Sequence, residues 1–134
     1  MTSIVESFTT YLEANSNITT LLASADSIWP GGAPQNNDGY PLLTFELSSD
    51  DQFFNLEGSA NELAIADFRL MIWDKNIKTI NDIATTIKSE LNGFRGAFGS
   101  HTADLITKEN EFSTPEEADT GLNRIVLEFR IAYY

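Results

Sequence analysis

Near the C-terminus, Ile125, Leu127, Phe129, Ile131 and Tyr133 alternate with Arg124, Glu128 and Arg130. Successive side chains of a strand point to opposite faces, so this segment predicts a strand with one apolar and one polar side. A sheet with one wet face is antiparallel as a rule, and its apolar face needs a cover. The rest of the chain must supply both partners and cover. Tyr40 to Ser48 sets Leu43, Phe45 and Leu47 against Thr44 and Glu46, and Ala64 to Asp74 sets Ala66, Phe68, Leu70 and Ile72 against Asp67 and Arg69. Thr102 to Phe112 supplies a fourth candidate strand.

The cover comes from segments with a period near 3.6. Ser3 and Glu6 form a capping box for a helix over residues 4–14, where Ile4, Val5, Phe8, Tyr11 and Leu12 share a face. Asn15-Ser16-Asn17 breaks it, and Ile18, Leu21 and Leu22 mark a second, shorter helical turn. Asn76 caps a longer helix with Ile77, Ile80, Ile83, Ala84, Ile87 and Leu91 on one side, and Gly93 is its expected left-handed terminator. Trp29 to Gly39, rich in Pro and Gly, holds regular structure only as an edge segment at its start. Ser48 to Asn61 and Ser113 to Thr120 read as connections. The expectation is an α+β fold: a small antiparallel sheet of about four strands with two main helices packed on one face. Residues 1–134 form a single domain in this reading, with no internal repeat.

Charge then narrows the function classes. Twenty acids face eight bases, a net charge of −12, and no Lys or Arg occurs before Arg69. Residues 1–68 hold ten acids and so carry −10, leaving −2 for the rest. A field of this sign repels phosphate backbones, which argues against gripping DNA or RNA. A secretory signal needs a basic start, and the longest apolar runs, such as Leu70-Met71-Ile72-Trp73, are far below the roughly 18 residues of a membrane span. No membrane partner is expected. Without cysteine, disulfides, thiolate metal sites and thiol catalysis are excluded.

Catalytic patterns fare poorly. His101, the sole histidine through which any relay would have to run, sits beside Gly99 and Ser100 in what reads as a turn, and a surface or structural role is expected of it. Asp119-Thr120-Gly121 spells the aspartic-protease triplet, yet it follows the acidic run Pro115-Glu116-Glu117-Ala118 and reads better as a turn. Asn36-Asn37-Asp38-Gly39 resembles part of a calcium loop, but Pro34 stands at the first ligand position. No phosphate-binding glycine loop is present. The expectation is a protein without enzymatic activity, cofactor or metal, whose function lies in its contacts. Trp29, Tyr40, Tyr133 and Tyr134 are candidate subunit-interface residues, and Phe53 and Phe54 offer apolar contacts from the long connection.

The ordered segments resemble a known family. Ile28-Trp29-Pro30, Ala33-Pro34-Gln35 and Tyr40-Pro41-Leu42-Leu43 are similar to the opening of the tail-completion proteins of long-tailed bacteriophages, also called tail terminators or head–tail joining proteins. The similarity continues through Phe68-Arg69-Leu70-Met71-Ile72-Trp73 and Leu91-Asn92-Gly93-Phe94-Arg95-Gly96. It closes with Thr120-Gly121-Leu122-Asn123-Arg124 and Val126 to Tyr133. Family members more often carry Asp at the position of Glu128 and an aromatic at that of Ala132.

This resemblance implies a virion protein at the head-proximal end of the tail, assembled in the host cytoplasm. Such proteins typically form hexameric rings that stop tail-tube polymerisation and dock the head connector or neck, while DNA passes through without specific binding. The implied partners are other copies of the chain, the tail tube protein and the connector. In such a ring Asp50, Asp51 and Glu57, with Phe53 and Phe54, are candidates to face the lumen or the tube end. The alternative from charge alone is an acidic DNA mimic that inhibits a nucleic-acid-binding enzyme.

Overall fold

The computed structural model describes residues 3–23, 27–31, 39–52, 64–114 and 121–134. Helices α1 (Ile4–Ala14) and α2 (Ser16–Thr19) lead into strands β1 (Ile28–Pro30), β2 (Leu42–Gln52) and β3 (Ala64–Asp74). Helix α3 (Ile77–Leu91) follows, then β4 (Gly96–Phe98), β5 (His101–Thr114) and β6 (Asn123–Tyr133). The strands form one sheet in the order β1-β2-β3-β6-β5-β4.

This architecture corrects the expected fold class. The protein is mostly β: a mixed sheet of six strands curled into a half-barrel, in place of about four antiparallel strands under two main helices. Only β1 runs parallel to its neighbour, pairing Ile28, Trp29 and Pro30 with Leu43, Thr44 and Phe45. β1 and β4 are three residues each, too short for a two-residue period to show in a sequence. The main strands also outrun the expected segments. β2 continues through Ser49, Asp50, Asp51 and Gln52, which had read as connection, because a bulge between Leu47 and Ser49 resets its register on β3. β5 carries two such shifts and reaches Thr114.

The inner face of the sheet holds the core. Alternate residues of β3 (Ala64, Ala66, Phe68, Leu70, Ile72) and β6 (Ile125, Leu127, Phe129, Ile131, Tyr133) join Leu43, Phe45, Ala103 and Ile106 in one cluster. Ile4, Phe8 and Leu12 of α1 and Ile80, Ile83, Ala84, Ile87 and Leu91 of α3 complete it. Phe8 is the hub: its ring lies 4.4 Å from Phe68, 4.9 Å from Phe45 and 5.5 Å from Phe98.

Capping follows the sequence. Ser3 accepts from the Glu6 amide at 3.1 Å, and Asn15 ends α1 while its side chain caps α2. Asn76 Oδ1 accepts from the amides of Lys78 and Thr79 at 2.9 and 3.4 Å. Gly93 takes φ +84°, as its terminator role requires. Asn76→Ala is expected to cost about 1 kcal/mol, readable as a shift in urea midpoint at unchanged slope.

Candidate assembly surface

The strand registers sort the outer face of the sheet into bands. At the end nearest α3's first turn, Leu42, Trp73 and Arg124 lie side by side on β2, β3 and β6. The next row is Trp29, Thr44, Met71, Val126 and Phe112, one residue from each of five strands. Leu42, Thr44 and Val126 are buried here although they stand outside the main core cluster. Their cover is local: Trp73 Nε1 donates to Thr44 Oγ1 at 3.0 Å, and the Arg124 guanidinium lies 5.2 Å from the Trp73 ring centroid. Phe112 closes the row with 41% of its surface exposed.

Beside this apolar band runs a charged one. Arg69 reaches Glu46 at 3.2 Å and Glu128 at 3.9 Å, and Asn110 donates to Glu128 at 3.3 Å. One row further, Arg130 Nε donates to Asp67 Oδ1 at 2.9 Å, and Ser49 Oγ donates to Asp67 Oδ2 at 2.8 Å. These exposed pairs fix side-chain positions more than they add stability. The hydrogen bond from Arg130 is the main reason the Asp67 carboxyl sits below its ordinary value. Its stabilising share is complete above the usual carboxylate range and is lost as pH falls below about 4. Asp67→Asn is therefore expected to flatten the acid limb of a melting-temperature profile and to leave the limb above neutrality unchanged.

Among the described residues, the two long edges of the sheet are only partly covered. β1 pairs with β2 no further than Phe45, whose carbonyl accepts from Gly31. From Glu46 to Gln52, no backbone among the described residues pairs with β2 on that side. On the other edge, β4 covers His101 to Ala103, and Gly93 and Phe94 bond Ile106. Asn92 Oδ1 then accepts from the Lys108 amide at 3.0 Å. Beyond Lys108, β5 has no outer backbone partner among the described residues.

The residues singled out in the sequence fall in different places. Asp50 and Asp51 belong to β2 rather than to a loop, while Phe53, Phe54 and Glu57 lie outside the described residues. Tyr133 is only 6% exposed and packs in the core, so the monomer offers no free surface there. Its hydroxyl donates to Asp50 Oδ1 at 2.9 Å, and burial, then the Asp50 carboxylate, push the phenol up to about 12. Tyr134 and Tyr40 are exposed, Tyr134 held by backbone bonds to Thr102. Trp29 is half-buried, and its Nε1 has no hydrogen-bond partner among the described residues.

His101 opens β5 directly after the turn at Gly99 and Ser100, with Nδ1 2.6 Å from Ser7 Oγ and its ring edge-on to Tyr133 at 5.1 Å. Serine beside histidine suggests a nucleophile and base, but Ser7 is fully buried and Asp50 engages Tyr133. The contact ties α1 to the start of β5. Asp119 and Thr120 lie outside the described residues, and those residues contain no group of three or more acids and histidines suited to a metal.

The outer-face row escaped sequence reading because its members come from five strands and meet only through register. A signal was nevertheless present. Leu70 to Trp73 and Ile125 to Leu127 are apolar on both faces, which marks strands covered on both sides at that end.

No protein-family model matches the sequence, and no curated protein matches it either. Among solved structures, the fold is similar to that of a chain in the virion of a native gene transfer agent (GTA) particle. The two superpose with a TM-score of 0.65 at 15% identity, over 92% of this chain and 89% of the other.

Proposed function

We propose that the chain is a structural component of a phage-like virion, acting through contacts rather than catalysis. The observation that carries this reading is the likeness to a gene transfer agent virion chain over nearly the full length of both. The finer reading follows the motif resemblance: the protein caps the head-proximal end of a tail tube, stops its growth and presents the surface that meets the head connector.

A closed ring, most simply a hexamer, suits that task because head-to-tail contacts that close leave no sticky end. Three features of the chain support it. The sheet presents two partly open edges on opposite sides, the outer face carries an apolar band ending in exposed Phe112, and the net charge of −12 keeps passing DNA from adhering. Asp50 and Asp51, at the far end of β2, remain the proposed tube- or lumen-facing acids. The DNA-mimic alternative draws less support, because Glu46, Asp67, Glu111 and Glu128 are engaged by Arg and Lys of the same chain instead of presenting a free acidic ladder.

Deleting the gene in a particle-producing strain tests the reading. The expected result is unjoined heads and tails, with tubes running past their normal length, restored by the gene in trans. Normal joined particles in the deletion strain contradict the capping role. Absence of the protein from purified particles contradicts the virion role itself.

A further inference from the structure

We infer that copies of this chain join edge to edge, the open stretch of β2 from Glu46 to Gln52 pairing antiparallel with the open stretch of β5 from Lys108 to Thr114 on the next copy. The inference rests on the ring reading and names the surfaces that would build it. β2, β3, β6 and β5 alternate in direction, so a neighbour in the same orientation places its β2 antiparallel to this β5 and continues the alternation. Both halves of the junction lie on one chain at opposite edges, which is the requirement for a head-to-tail contact.

The geometry adds a stagger. Through the registers, Glu46 to Gln52 stand level with Glu128 to Tyr133 of β6, whereas Lys108 to Thr114 stand level with Phe129 to Arg124. The two open stretches are offset by about four residues, roughly 14 Å along the strands. Matching them shifts each copy along the strand direction, and closing a sheet on itself requires a shift of that kind.

Among the described residues, these stretches read as unfinished edges. The three-residue strands β1 and β4 cover only the near ends of strands of 11 and 14 residues, and neither open stretch contains Pro or Gly. The Glu111 amide on β5 donates to Asn110 Oδ1 of the adjacent residue. Each stretch also leaves one large apolar side chain exposed, Leu47 on β2 and Phe112 on β5. Charge sets the conditions: Glu46, Asp50 and Asp51 meet Lys108, Glu109 and Glu111, so both sides are net acidic and salt should favour joining.

The chain has no cysteine, which makes disulfide mapping direct. Double variants combine Ser48→Cys with Asn110→Cys, Glu111→Cys, Phe112→Cys or Ser113→Cys, covering the adjacent registers. Within one chain β2 and β5 are separated by β3 and β6, about 14 Å, so a disulfide can form only between copies. The expected result is a covalent ladder on a non-reducing gel for at least one pair and for none of the single variants, increasing between about 50 and 500 mM salt. Phe112→Glu, which keeps the backbone, removes the apolar contact and deepens the acidic repulsion, should shift the native mass to the monomer at unchanged melting temperature. An assembly seen by light scattering that yields no ladder and ignores Phe112→Glu overturns the edge junction but leaves the ring reading standing. A chain that stays monomeric at every concentration and salt overturns both, while its presence in or absence from particles still judges the virion reading separately.

Discussion

Phe8→Ala is expected to destabilise the fold by about 3–5 kcal/mol, a large part of the 5–15 kcal/mol typical of a domain. The ring is fully buried and touches β2, β3 and β4 at once, stacked within 9° of parallel on Phe68. Its removal leaves a void that three aromatic rings and the inner face of a curled sheet cannot close without moving α1. Part of the loss is transfer free energy, and part is the unfilled cavity. Urea unfolding should show a much lower midpoint at a similar slope. A change under about 1 kcal/mol would mean that α1 does not hold the sheet as described.

The second large effect is expected at Gly99. Its φ of +61° disfavours a side chain, and an added Cβ would stand 2.6 Å from Ser7 Cα and 2.9 Å from Ser7 Oγ. The obstacle is helix backbone, so relief requires α1 to lift from the β4–β5 turn, which also breaks the 2.6 Å Ser7–His101 contact. Left-handed strain of about 1–2 kcal/mol and overpacking of about 1–3 kcal/mol together put Gly99→Ala near 2–5 kcal/mol. Ser7→Ala in the same chain leaves the Cα clash in place, so it should rescue little of this loss. Full rescue by Ser7→Ala would assign the effect to the hydroxyl and contradict the backbone argument.

Much of the fold was legible where one face is apolar and the other polar. β3, β6 and α3 follow that rule along most of their lengths, and their residues lie in the core as the periodicity requires. Legibility failed where pattern and structure separate. The end of β2 reads as loop because the bulge near Ser48 shifts its phase and because Asp50, on the inner side, is satisfied by the Tyr133 hydroxyl 83 residues away. No local pattern announces such a partner. β1 was legible as an edge segment but not its parallel pairing, and β4 fails through brevity, so one edge of the sheet and its mixed character were missed.

The candidate surface was less legible than the core. Trp29 belongs to the outer apolar row, whereas Tyr133 proved to be core and Phe112, Met71 and Val126 were not singled out. Composition marks an aromatic as a contact residue without saying which face it joins. That assignment comes from strand register, and here two bulges in β5 determine which side Phe112 takes. Edge strands are legible only once the strands that fail to cover them are known.

The most direct test of the account is the native mass of the purified chain in solution, measured by light scattering across concentration and salt. The ring account predicts a discrete species of six copies of 14.9 kDa, about 89 kDa, growing with salt and imaging as an annulus with a central hole. A single species of 14.9 kDa under every condition would contradict it.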